Sequence, residues 1–202
     1  MRPAGIFAAA AILGVLSACG SSSNEPTSGG GMSSHGNAVV RRGCSPEGVA
    51  AQFGDLLNAV SERRQTLALQ HIASAPDLLG VTVYHGTRPG EGRVDAKTPR
   101  VVFRTFAATI PAGEETALLA IGVGEPGPFA GAYEEKVRSA RTAGVEVVAR
   151  IGAEALSGKI GVDCETGRMY VGAMQVAGKL HPQRLCGKYV RIDAQKPLLC
   201  RL

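Results

Sequence analysis

Cysteine carries the most reactive side chain in this sequence, and it occurs five times. Cys19 stands at the abrupt end of an apolar run, where Ile12-Leu13-Gly14-Val15-Leu16 gives way to Ser17-Ala18-Cys19-Gly20-Ser21. Cys44, Cys164, Cys186 and Cys200 are spread through the rest of the chain. A cysteine sulfur can serve as a nucleophile, a metal ligand or half of a disulfide, and spacing discriminates among these roles. No Cys-x-x-Cys pair and no neighbouring His cluster occurs, so zinc is not expected. An even number of cysteines suits two bridges. Four cysteines permit three connectivities, and spacing alone does not choose among them. The favoured pairing is Cys186–Cys200, closing the C-terminal tail, with Cys44–Cys164 tying the first helix to a sheet. Hydrolase and phosphate-binding signatures are missing: there is no Gly-x-Ser-x-Gly elbow, no phosphate-cradling loop and no His-Glu-x-x-His. Gly122 to Gly127, "GVGEPG", has glycines but sits among prolines and reads as a loop.

At 202 residues the chain fits one domain with tails. A hydrophobic fraction of 45% is enough for a buried core, and with no Trp that core must be mostly Val, Leu, Ile and Ala. The net charge of +5 raises the question of a nucleic-acid partner. A nucleic-acid surface needs a basic stripe, often with stacking rings. The only tight basic clusters are Arg41-Arg42 and Arg63-Arg64, neither with interleaved aromatics. No nucleic-acid partner and no cofactor are expected.

The N-terminus answers why a thiol ends the apolar run. Arg2 and the amino group supply a positive region, and Gly5 to Leu16 an apolar one too short to span a bilayer, which takes roughly 20 residues. Leu16-Ser17-Ala18-Cys19 resembles the lipobox of bacterial lipoproteins at all four positions. The resemblance implies that Cys19 takes a diacylglyceryl group through its sulfur, and that a dedicated signal peptidase cuts between Ala18 and Cys19. Two acyl chains would hold the chain firmly, where one gives only marginal binding. The expected address is the extracytoplasmic face of a cell membrane, with inner and outer membrane both open. Disulfides are allowed there. The organisation expected is a signal peptide over 1–18, the lipidated cysteine and a Gly/Ser-rich linker over 19–42, a domain over 43–178, and a cysteine-containing extension over 179–202.

Within the domain, Ser45-Pro46-Glu47 is a helix start: a capping hydroxyl, a proline at the first helical position and an acid in the first turn. Val49, Phe53, Leu56, Leu57 and Val60 follow at helical spacing. A second helical piece is expected over Thr66 to Ala73. Val81 to Tyr84 reads as a strand, Gly86 to Lys97 as a loop, Val101 to Ile110 as a β-rich run, and Thr116 to Val123 as a strand. Phe129, Tyr133 and Val137 suggest a third helix ending at Gly144, with Glu134 and Arg138 as an i,i+4 ion pair. Strand character resumes over Val145 to Ile151. Gly158 to Met174 reads as a β-hairpin turning at Glu165-Thr166-Gly167, with Asp163 placed to cap the turn. A last strand is expected over Lys188 to Ile192.

An opening helix pair, a few strands, an intervening helix and a terminal hairpin resemble the nuclear-transport-factor-2-like (cystatin-like) fold. The likeness rests on "SPEGVAAQFGDLLNAV", Ser45 to Val60, and "GKIGVDCETGRMYVGAM", Gly158 to Met174. It implies an α+β domain in which helices pack on a curved, mainly antiparallel sheet around a conical cavity. Enzymes of that superfamily use the cavity for acid–base chemistry, which needs a carboxylate or His in an apolar pocket and a donor such as Tyr. Asp55, Tyr84, His85 and Glu146 are the candidates. Each has an ordinary alternative. Asp55 lies beside the apolar stripe, Tyr84 and His85 point to opposite faces of one strand, Glu146 falls on the polar side of another, and His71 on a short helix reads as partly exposed. No catalytic set is therefore assigned. The expected function is a non-enzymatic domain binding a small apolar ligand or another envelope protein. The alternatives are an envelope structural or assembly protein, and an acid–base enzyme of isomerase or dehydratase type.

Overall fold

Ser45 starts the first helix as its residue type requires. Its hydroxyl accepts a hydrogen bond from the Gly48 amide at 3.0 Å, and Pro46 occupies the first turn. The computed structural model describes residues 43–86, 91–128, 141–177, 184–191 and 195–202. The signal peptide, Cys19, the linker, the expected helix over Phe129 to Val137 with its Glu134–Arg138 pair, and the boundary at 178 lie outside them.

Helix α1 (Pro46–Ser61) buries Val49, Phe53, Leu56, Leu57 and Val60, and with them Gln52. Helix α2 (Gln65–Gln70) is shorter than the expected Thr66 to Ala73. His71 caps it, and Ile72 turns instead into a bridge with Met169. Strand β1 (Gly80–His85) follows, and β2 (Val94–Ala96) pairs with it antiparallel inside the stretch expected to be all loop.

Residues Val101 to Ile110 are helical and not extended, which corrects the expected strand. Helix α3 (Pro99–Thr109) has Thr98 as its capping residue and Pro99 in its first turn. Its β-branched and aromatic residues favour strands as types, but Val102, Phe103, Phe106 and Ile110 repeat at three to four and are all buried. Thr105 and Thr109 donate to the carbonyls of Val101 and Thr105, each at 2.9 Å, so their hydroxyls are satisfied within the helix.

Strands β3 (Thr116–Val123), β4 (Thr142–Ile151), β5 (Glu154–Asp163) and β6 (Met169–Ala177) are consecutive antiparallel neighbours. Gly144 ends no helix. It lies inside β4, opposite Gly161. The hairpin from β5 to β6 turns as expected: Asp163 accepts from the Glu165 amide at 2.8 Å and the Thr166 hydroxyl at 2.6 Å, and Gly167 supplies a φ of +69°. Beyond it, β7 (Arg184–Leu185) and β8 (Lys188–Tyr189) form a small ribbon, and β9 (Leu198–Arg201) joins the main sheet. The expected strand over Lys188 to Ile192 thus shrinks to two residues, and the strand that extends the sheet is β9.

The main sheet runs β2-β1-β6-β5-β4-β3-β9. The pairs β1/β6 and β3/β9 are parallel, and all other neighbours are antiparallel. Register shifts at Leu118/Ala120 and Gly161/Val162 interrupt the ladders, and such bulges bend strands. The helices cover one face, where Val81, Val83, Ile121, Val145, Val147, Leu156, Ile160 and Met174 are buried. On the other face Leu119, Ala120 and Val148 pack against Leu185 and Val190 of the extension. This is an α+β fold with helices on a mainly antiparallel sheet, the fold class that was expected. No helix among the described residues is long and apolar enough to cross a membrane.

Cys44–Cys164 joins the start of α1 to the end of β5, and Cys186–Cys200 joins the β7–β8 turn to β9. This is the favoured pairing. The sequence separations are 120 and 14 residues. Loop-closure entropy therefore predicts unequal losses: about 5 kcal/mol for Cys44→Ala/Cys164→Ala and about 3 kcal/mol for Cys186→Ala/Cys200→Ala. Denaturant unfolding of the two double variants checks the order, and a larger loss from the C-terminal pair would contradict it.

Candidate functional site

The described pocket lies where the first half of α1, the residue after α2 and the β5–β6 hairpin converge. Val49, Phe53 and Leu56 wall one side, and Ile160, Val162 and Met169 the other. The space between them is about 10 Å³, room for about one water molecule. The interior beneath the helices is filled by side chains here, and not hollow.

Two polar side chains reach this pocket. Gln52 is 5% exposed, and its Oε1 and Nε2 have no hydrogen-bond partner among the described residues. His71 lines the opposite side, with its Nδ1 buried. The position of His71 is set by the backbone. The Met169 amide donates to the His71 carbonyl at 2.9 Å, and the Ala73 amide donates to the Met169 carbonyl at 2.8 Å. Arg168 Nε adds a bond of 3.1 Å to the Gln70 carbonyl, so the hairpin grips the end of α2. Gly167 completes the floor. A Cβ there would collide with the Gln52 amide. No Asp, Glu, Lys or Arg side chain is part of the lining.

The four candidates for acid–base chemistry are not brought together. Asp55 is exposed on the outer flank of α1. Tyr84 and His85 are both half-buried, and His85 Nε2 lies 3.4 Å from the Thr109 hydroxyl at the far end of β1. That hydroxyl already donates to Thr105, so it accepts from the imidazole. Glu146 pairs across strands with Lys159 at 2.8 Å, and the hydrogen bond from that carboxylate raises the Lys159 ammonium above its ordinary range. None of the four lines the pocket.

Gln52 was missed from the sequence although a signal existed. It lies three residues after Val49 and four before Leu56, so an amide interrupts an otherwise apolar stripe. From its place on a short helix, His71 reads only as partly exposed.

Tyr170 is the one buried phenol at the hairpin. It is 4% exposed, and its ring covers the place where a Gly161 side chain would stand. Burial pushes its hydroxyl up from the ordinary value of about 10, against a hydrogen bond with Thr142 that lowers it.

No family model matches the chain, and no curated protein matches it. Among solved structures it is similar to a candidate ketosteroid isomerase from Kribbella flavida, at 14% identity and a TM-score of 0.35, over 75% of this chain and 94% of that one. An LEH-like epoxide hydrolase from M. tuberculosis gives 13% identity and a TM-score of 0.32, over 63% and 81%. An NTF2-like protein from Burkholderia xenovorans gives 12% and 0.32, over 67% and 94%. Likeness of this size carries nothing about activity. The fold and the site themselves define an α+β domain with a small, mainly apolar pocket under its terminal hairpin.

Two outcomes follow from this geometry. Gly167→Ala is expected to cost about 1–2 kcal/mol for the left-handed backbone, and more because the Gln52 amide is displaced. A double-mutant cycle with Gln52→Ala should then show coupling of at least about 0.5 kcal/mol, and strict additivity would remove the contact. For Tyr170 the folded pKa lies above the unfolded one. The stability it gives is complete below about pH 10 and is lost as pH rises through the higher folded value. Unfolding midpoints should therefore fall above about pH 10, and fall less in Tyr170→Phe.

Proposed function

We propose that this chain is a membrane-anchored, extracytoplasmic bacterial lipoprotein whose folded domain binds a small ligand or another envelope protein and does no chemistry on it. The observation that carries the reading is separation. Tyr84, His85, Asp55 and Glu146 stand on different faces and ends of the fold, and the pocket contains no carboxylate to act as a base beside His71. Acid–base catalysis needs the donor and acceptor groups within hydrogen-bond reach of one substrate atom. A pocket with apolar walls and one buried amide is suited to recognition instead.

The anchor rests on Leu16-Ser17-Ala18-Cys19 and the charged-then-apolar run before it. The two disulfides support an oxidising compartment. The Gly/Ser-rich stretch after Cys19 would serve as a flexible spacer between membrane and domain.

Cys19→Ser tests the anchor. The variant is expected to remain unprocessed and lose its lipid, and the native chain to partition with membranes; unchanged lipidation and processing in the variant would overturn the assignment. Native mass spectrometry of the chain extracted from membranes tests the binding role. A bound small molecule or a stoichiometric partner is expected, and an empty, partnerless chain would count against it.

A further inference from the structure

Gln52 poses a specific physical problem. A primary amide removed from water without partners is costly, and native interiors rarely leave one so. Here both atoms of the amide are buried and unpartnered among the described residues, and the side chain that carries them lines a pocket. We infer that the pocket beneath the β5–β6 hairpin is a binding site for a small neutral molecule that presents a hydrogen-bond donor beside an acceptor, the edge of an amide or lactam, on a short apolar body. This rests on the binding reading above and specifies its ligand.

Three features fix the class. Gln52 offers an acceptor oxygen and a donor nitrogen in one plane, so an amide edge satisfies both at once through two parallel hydrogen bonds. A charged head is disfavoured, because the lining holds no Asp, Glu, Lys or Arg to compensate its desolvation, and its one ionisable side chain, His71, already has a partner of its own. The remaining walls, Val49, Phe53, Leu56 and Ile160 among them, are apolar and suit a hydrocarbon body. The scale is small. The space at rest, about 10 Å³, is that of one water, so on this inference a larger body enters only as wall side chains give way, and Met169, unbranched, is the wall residue of the type that repacks most readily. Gly167 is part of the same device. A side chain there would occupy the position of the Gln52 amide, and its absence lets the amide lie against the turn and face the pocket.

The test compares 2-pyrrolidinone, which has the donor–acceptor edge, with cyclopentanone, which has the same ring and the acceptor alone. Both are titrated into the full chain in detergent while its amide signals are followed by NMR. Saturable shifts of the Gln52 side-chain amide and of Gly167 and Met169 are expected for the lactam, with the ketone binding at least about tenfold more weakly. Gln52→Leu should abolish that preference, and Gln52→Met provides the same comparison if the first variant does not fold. Equal binding of lactam and ketone by the native chain, absence of any saturable shift at these residues, or a preference retained without Gln52 would each overturn the inference. So would a long-lived water on Gln52 that the lactam does not displace. A ligand or partner that co-purifies while the lactam fails overturns this inference alone and leaves the binding role standing; an empty, partnerless chain that still prefers the lactam does the reverse.

Discussion

Helix α1 has to lie with its apolar face on the sheet, and the geometry of the site follows from how its first turns are held there. Three different interactions act at that end. Ser45 satisfies an amide of the first turn, Cys44 is covalently joined to Cys164 at the end of β5, and Gln52 packs against Gly167 one turn of hairpin further on. The hairpin is in turn fixed to α2 through Arg168 and Met169. Helix, hairpin and post-helical segment therefore form one closed circuit of contacts. The backbone around the pocket is therefore held from several directions, while the side chains that line it are free of that constraint.

The C-terminal extension solves a separate problem. Without it, β3 would be an edge strand with unpaired backbone groups, and Leu119 and Val148 would lie open on the face away from the helices. Exposed edges and apolar patches of that kind invite association. Strand β9 pairs with β3, Leu202 packs over Gly122, and Leu185 and Val190 cover the apolar residues. Cys186–Cys200 holds the two halves of this cover together. The extension is short and poor in core residues of its own, so a covalent link there does what packing alone could not.

The elements that could be read from the sequence were those in which local signals agreed. Ser45-Pro46 and the Val49–Val60 stripe marked α1, and alternation around Glu165-Thr166-Gly167 marked the hairpin. Helix α3 shows the opposite case. Its β-branched and aromatic residues argued for a strand by type, while their spacing and the Thr98-Pro99 start argued for a helix; burial against the sheet decided for spacing. Strand β2 was too short to show alternation, and β9 lies in a segment where only its partner β3 gives it a reason to be extended. The site was the least legible part. Gln52, His71 and Gly167 are more than a hundred residues apart at the extremes, and long-range contacts such as the parallel bridge of Ile72 with Met169 and the Cys44–Cys164 disulfide bring them to one place.

The positions of the polar residues follow from strand parity and from how far along its strand each one lies. On a sheet with one face covered by helices, a side chain reaches the interior only if its strand parity points it inward. Glu146 has the wrong parity, and its neighbour across the ladder, Lys159, shares that face and neutralises it at the surface. His85 has the inward parity but lies at the far end of β1, beside Thr109 of α3, while the pocket lies where β1 begins. At the pocket itself stand His71 and Gln52, and the Gln52 amide neither gains nor loses a proton near neutral pH. A buried group of that kind can select a partner by hydrogen-bond pattern, and it cannot transfer a proton to one. On the α1 side of the pocket the one polar side chain is Gln52, so what that wall presents is a pair of hydrogen-bonding atoms and no titrating group.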